Sequence, residues 1–407
     1  QNGGALTING GSVTTSGADS FGFLVQGSAG IANTLGIGSA TISSAADAFR
    51  VQGAVATITL VGSTATGSNG MLLSGVGGAT VTFNAGSSDL TGAITTDSGS
   101  TTNVTLHDNT TWRLTGNSNI TNLTNNASTI LFSTPTAGVF KTLTAFNYVG
   151  AGGTIGLNTF LHTDGSPSDK LVIEGGSATG QTFLRITNAG GSGALTVANG
   201  ILVVDAHSTT APGAFALAGP VVAGPYEYTL HRSSIDASNP EAWYLRSNLT
   251  LAAQCAVATV PVTDSTGSDS PGSDSPGPAA TRSGSTDPVP NFRPEVSLYT
   301  AIPAMALLYG RNLLDTFHER VGEPEAPHGT GANGDGGNGD SGGLSFGNGA
   351  WGRIIGMRGR REGHRAGIFG DGPTYKYDFF GLQLGHDFWR RERGDVIVGM
   401  ICLIFAD

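Results

Sequence analysis

The sequence predicts an all-β chain: a parallel β-solenoid with a C-terminal cap, then a linker, one helix and the opening strands of a β-barrel. Three observations predict it. Short runs that alternate apolar and polar residues are separated by Gly, Ser and Asn turns. A loose motif recurs at a spacing in the twenties, the mark of stacked coils. Beyond residue 350 the runs lengthen and become aromatic.

Composition supports this class. Of 407 residues 64 are Gly, a frequency that would weaken most helices. The Gly residues have no period of three, which excludes collagen. With 38% hydrophobic and 12% charged residues the chain is too apolar for simple disorder. A formal net charge of −10 argues against nucleic acid as a partner, which needs a clustered Lys/Arg surface. The first 254 residues contain no Cys, and Cys255 and Cys402 lie far apart. That suits a chain crossing an oxidising compartment unfolded. No run approaches the roughly 18 apolar residues of a membrane helix. The opening Gln1-Asn2-Gly3-Gly4 carries neither an initiator Met nor a leader, so the sequence reads as a piece of a longer protein.

Residues 1–130 read as solenoid repeats. In Ala79-Thr80-Val81-Thr82-Phe83 the apolar residues Val81 and Phe83 share one face and the Thr residues the other. Thr57-Ile58-Thr59-Leu60-Val61 repeats the pattern. The echo runs from Ala18-Asp19-Ser20-Phe21 to Gly27, from Ala46-Asp47-Ala48-Phe49 to Gly53, and from Ser68-Asn69-Gly70-Met71 to Gly75. One repeat cannot bury its apolar face, but a stack can. A β-sandwich has similar turn spacing and is the competing architecture. Residues 131–250 carry larger apolar residues, in runs such as Leu171-Val172-Ile173 and Trp243-Tyr244-Leu245. They fit a cap over the open strand edge. Residues 251–294 form a Ser/Pro/Gly/Asp linker expected to be disordered. Residues 295–322 favour a helix, with Leu307, Gly310, Leu314 and Phe317 on one stripe. Residues 323–349 are a flexible Gly-rich stretch. From 350 to 407 the chain turns to barrel-type strands, Trp351 to about Arg358 and Tyr375 to Trp389, with a third beginning near Val396. Only two or three strands fit there, so the barrel is expected to be incomplete.

Three stretches carry a family resemblance. The first is Tyr148-Val149-Gly150-Ala151-Gly152-Gly153-Thr154-Ile155-Gly156-Leu157-Asn158-Thr159, with Ser168-Asp169-Lys170-Leu171-Val172-Ile173 and Trp243-Tyr244-Leu245. The second is Arg293-Pro294-Glu295-Val296-Ser297-Leu298-Tyr299, running to His318-Glu319-Arg320-Val321-Gly322. The third is Trp351-Gly352-Arg353 with Gly381-Leu382-Gln383-Leu384-Gly385-His386-Asp387. In this order they resemble a bacterial autotransporter of the pertactin-like type. The resemblance implies a right-handed parallel β-helix passenger, a C-terminal autochaperone cap, a helix in the barrel pore, and the first translocator strands. It implies self-export through the periplasm to the outer membrane and cell surface, with the outer membrane and its assembly machinery as partners. A host or cell-surface ligand would meet flat solenoid faces rather than a pocket. The expected function is adhesin-like or structural. The alternative is the stalk and export module of an autotransporter whose serine protease or esterase domain lies upstream.

The same residues offer few chemical motifs. Gly339-Asp340-Ser341-Gly342-Gly343 spells the nucleophile motif of trypsin-like proteases, and Asp97-Ser98-Gly99-Ser100 is a shorter echo. A Ser nucleophile needs a His base and an orienting carboxylate on a rigid scaffold. The first match lies in the Gly-rich stretch. The second lies between solenoid strands, with the nearby His107 expected to face solvent. Gly331 to Asp340 lacks the apolar residue that follows Asp in calcium-binding nonapeptides. His207, His231 and His318 show no ligand spacing. No Gly-x-Gly-x-x-Gly opens a helix after a strand. The basic run Arg358, Arg360, Arg361 and Arg365 reads as a solvated hairpin loop, with lipopolysaccharide contact as a lesser reading. No catalytic, cofactor-binding or metal-ligating residue, and no cofactor, is therefore expected.

Overall fold

The computed structural model describes residues 3–27, 30–249, 288–314, 343–346, 350–362, 374–386 and 403–406. The chain divides into two compact units, one holding the solenoid and its cap, the other the helix and the last strands.

The first unit is a parallel β-solenoid. Each coil lays strands beside those of the coils before and after it. On one face Ala32–Gly38 pairs in parallel with Ala5–Asn9 and with Val55–Val61. The series continues through Thr80–Gly86, Thr101–His107, Ser118–Asn126, Thr142–Thr159 and Ser177–Asn188. Period-2 alternation turns this register into files of side chains. Leu35, Ile58, Phe83, Val104, Leu123 and Tyr148 form one inward file. Ile42, Ala65, Leu90, Trp112, Ile130, Ile155 and Leu184 form another. All are buried. Each large aliphatic or aromatic residue so buried contributes about 1.5–3 kcal/mol before conformational entropy is subtracted. The Trp112 indole N–H, also inside, donates to Gly92 O at 2.8 Å.

Polar files hold the edges of the stack. On the outward side of the first face, Asn122 donates its Nδ2 hydrogen to Asn103 Oδ1 at 2.6 Å. Asn147 donates to Asn122 Oδ1 at 2.8 Å. At one corner Ser63, Ser88 and Thr110 are all buried. Their hydroxyl oxygens accept the N–H groups of Ala40, Ser63 and Ser88 in turn. Corner amides that the sheets cannot reach are satisfied by the next coil's hydroxyl, which is why Ser and Thr stand there.

The motif echo located the coils and matched Val25-Gln26 to Val51-Gln52, which pair as read, but it missed the register of its other members. Phe23, not Phe21, lies over Phe49, with stacked rings 5.6 Å apart, and Leu73, not Met71, continues the file. Gly53 lies near Gly77, not Gly75. These slips are of two residues, so they leave the inward and outward parity intact.

The parallel stack reaches Thr209–Thr210 and Phe215–Leu217. The pairing then reverses. Trp243–Arg246 runs antiparallel to Ile201–Ala206 and to Tyr226–Arg232, which pairs in turn with Val221–Ala223. The reversal covers the last parallel edge, which would otherwise invite another chain.

In the second unit a helix spans Val296–Leu314, with Pro303 inside it. Tyr309 meets Phe379 edge to face, with centroids 5.0 Å apart. No helix among the described residues is long and apolar enough to cross a membrane. Ala350–Arg361 and Tyr375–His386 pair antiparallel along their full lengths. Gly343–Phe346, in the stretch expected to be flexible, pairs with the first of them, and Leu403–Ala406 with the second. Arg358, Arg360 and Arg361 belong to the strand instead of a loop after it. The physical reason is cross-strand pairing: Arg358 sits opposite Asp378 and donates from Nε and Nη2 to one of its oxygens at 3.0 and 2.6 Å. Cys255, Cys402, Phe317, His318, Gly331 to Asp340, Ser341, Gly342, Arg365, Trp389 and Val396 lie outside the described residues, as does the linker up to residue 287.

Candidate folding core and cap

The first motif of the resemblance is a buried polar knot. The Asp169 carboxylate is fully buried. It accepts the backbone N–H of Lys141 at 2.7 Å, the backbone N–H of Asn158 at 2.9 Å and the Asn158 amide at 2.7 Å. Asn158 Nδ2 also approaches Phe132 O and Ser133 O. The Thr159 and Ser168 hydroxyls meet at 2.7 Å, and Lys141 Nζ donates to Ser133 O at 2.9 Å. An irregular excursion leaves the coil after Phe132 and rejoins it at Lys141. The knot fixes both ends, and a carboxylate accepting three N–H groups holds them with charge-assisted bonds.

An aromatic series runs from the last coils into the cap. Tyr148 stacks on Phe215, with centroids 6.0 Å apart, and Phe215 meets Trp243 edge to face at 5.4 Å. The buried polar tips are paired: Tyr148 Oη with Thr182 Oγ1 at 2.7 Å, and Trp243 Nε1 donating to Thr210 Oγ1 at 3.1 Å. Burial pushes the Tyr148 phenol up to about 12, with its hydrogen bond to Thr182 acting the other way. Burial also raises Tyr228 and Tyr244. A folded pKa above the unfolded value near 10 gives stability that is complete below pH 10 and lost as pH rises toward 12. The cap is therefore expected to lose stability in that alkaline window. Tyr148→Phe should remove up to about 2 kcal/mol of the pH-dependent loss, read by denaturant titration at pH 9 and pH 11.5.

Carboxylates tie the cap loops together. Asp164 accepts the N–H groups of Val197, Ala198 and Gly200 at 2.7, 3.0 and 2.7 Å. Asn199 Oδ1 accepts from Ile235 at 2.7 Å and its Nδ2 donates to Asp236. Hydrogen bonds from Ser238 and Asn199 hold Asp236 well below the usual carboxylate range. Glu241 accepts the Thr210 N–H and an Arg232 guanidinium N–H, each at 2.6 Å, and both lower its pKa, the Thr210 bond more. The Tyr228 hydroxyl donates to His162 O at 2.7 Å and accepts the Ala194 N–H at 3.0 Å. Gly200 has φ +92°, and a Cβ there would lie 2.4 Å from Leu245 O. Gly200→Ala is expected to cost about 1–3 kcal/mol, measured as a lower urea midpoint of the cap.

Other sequence candidates lie elsewhere. Asp97-Ser98-Gly99-Ser100 forms a turn in which Ser100 Oγ donates to Asp97 and Asp97 accepts the Gly77 N–H. Both bonds lower the Asp97 pKa, Ser100 first. His107 pairs with its neighbour Asp108 at 2.7 Å. His207 lies between Glu174 and Asp205, and His231 bonds Thr229. Among the described residues no group of three or more His, Cys, Asp or Glu side chains is placed to hold a metal. Trp243, Leu171, Asp169 and Asn158, all within the first motif of the resemblance, are buried. Asp164, Thr210, Arg232 and Glu241 were not found from sequence. Asp164-Gly165 carries a turn signal, but nothing local links Thr210 to Trp243.

Residues 118–230, which include the knot and most of the cap, match the family described as Autochaperone Domain Type 1. The chain is 45% identical over 102 residues to Uncharacterized protein YuaQ of Escherichia coli strain K12. It is 36% identical over 110 residues to Autotransporter adhesin AIDA-I of Escherichia coli. It is 32% identical over 218 residues to Adhesin BmaC autotransporter of Brucella suis biovar 1. These alignments cover 25%, 27% and 51% of this chain, and 7%, 8% and 5% of the relatives, so the chain spans a small part of each.

Proposed function

We propose that this chain belongs to a bacterial autotransporter, that it displays an adhesive, non-catalytic β-solenoid at the bacterial surface, and that residues 118–246 are the core from which the solenoid folds. One observation carries the proposal. The autochaperone match covers the region where parallel coils give way to an antiparallel cap. A solenoid coil gains stability only from a neighbour already in place, so a self-sufficient terminal unit is the natural start of the stack. Folding outside the outer membrane then opposes backsliding. Adhesion would come from flat outward files such as Thr34, Thr57, Thr82, Asn103 and Asn122, which offer area and hydrogen-bonding groups without a pocket. The test is binding of the purified, labelled chain to cultured epithelial cells. Saturable binding, displaced by unlabelled chain and absent for the unfolded chain, is the expected result. Binding that fails to saturate, or that survives unfolding, would reject the adhesive reading.

A further inference from the structure

The cap receives one more strand from beyond the linker. Residues 288–293 insert between Ser247–Leu249 on one side and Pro225–Glu227 on the other. Leu249 N donates to Val289 O at 2.8 Å and Asn291 N to Ser247 O at 2.7 Å. On the opposite edge Glu227 N donates to Asn291 O at 2.9 Å and Arg293 N to Pro225 O at 3.0 Å. Asn291 Nδ2 adds a bond to Glu227 O at 3.0 Å. Phe292 stacks on Tyr226, with centroids 5.4 Å apart. Pro288, Pro290 and Pro294 bias the segment toward the extended shape it adopts here, which lowers the entropy lost on docking.

We propose that residues 288–293 are a latch strand, a built-in peptide ligand that fills the slot of the cap between Ser247–Leu249 and Pro225–Glu227. Added strands of this kind draw affinity from main-chain bonds and selectivity from side chains in pockets. Only Pro294 and Glu295 separate the docked Arg293 from the helix at Val296. The chain between Leu249 and Pro288 is thereby bypassed: it joins two segments that are already held together.

The experiment cuts that bypass. A recognition site for a specific protease is inserted between residues 256 and 287 of the full chain. The folded protein is cleaved and run on gel filtration at about 10 μM, a concentration at which micromolar pairing is visible. The two pieces are expected to coelute. Asn291→Pro removes the donor to Ser247, and Phe292→Ala removes the stack on Tyr226. Each should weaken the association at least about tenfold. Separation of the pieces in the unsubstituted chain would overturn the latch, as would undiminished association in both variants. Amide exchange in the uncut chain guards against variants that fail to fold. Asn291 and Arg293 amides are expected to be protected, and exchange as fast as in a free peptide would overturn the proposal.

Discussion

Asp169→Ala is expected to cost about 3–5 kcal/mol and to abolish the protease resistance of residues 142–246. Asp169 is fully buried and is the common acceptor for Lys141 N, Asn158 N and Asn158 Nδ2. Truncation leaves three inward N–H groups without that acceptor, and each unmet donor costs about 1–3 kcal/mol. Some of this is recovered, because Asn158 Nδ2 has Phe132 O and Ser133 O within reach. Asp169→Asn keeps one acceptor oxygen and should lose about half as much. Asp89→Ala serves as the control. Its bond to Arg113 is exposed, so the change should stay within about 0.5 kcal/mol. Urea unfolding followed by limited proteolysis separates the three outcomes. A stable Asp169→Ala cap would mean that the knot does not hold the excursion.

Trp243→Ala is expected to cost about 3–5 kcal/mol, in the range for emptying a buried aromatic site. Two losses combine with the emptied volume: the edge contact with Phe215 and the N–H bond to Thr210 Oγ1. Glu241 and Arg232, which converge on the same Thr210, should lose their geometry with it. Leu171→Asp attacks the core from the other side. Leu171 is fully buried and is stacked between Leu143 and Val204, where an unpaired carboxylate has no partner. Limited proteolysis reads both variants. If neither alters the resistance of residues 131–250, the assignment of a folding core there is wrong.

The sequence revealed period-2 alternation, because that pattern is local. Val81 and Phe83 face inward as their spacing required. It revealed register only in part, as where Val25-Gln26 pairs with Val51-Gln52, because register depends on which coil lies beneath. Phe21 and Phe49 looked equivalent, yet Phe23 is the residue stacked on Phe49. Phe21 instead lies under the Arg50 guanidinium, 5.2 Å from its ring centroid. The corner hydroxyls Ser63, Ser88 and Thr110 were hidden for another reason. Ser and Thr in a turn look the same whether they face water or cap the amide of the next coil. In the core, Asp169 and Asn158 fell within recognisable motifs, but their meeting depends on an excursion that composition does not reveal. Arg358 shows the reverse error. A run of charges suggested a loop, and a carboxylate on the neighbouring strand made it a strand.

On the proposed folding order the C-terminal core forms first and serves as the template for the other coils. Pulse-labelled amide exchange during refolding of the full chain tests it most directly. Amides of residues 142–246 are expected to gain protection before those of 32–107, with protection then spreading toward the N-terminus. Protection that begins in residues 32–107, or arises in both regions at one rate, would contradict it.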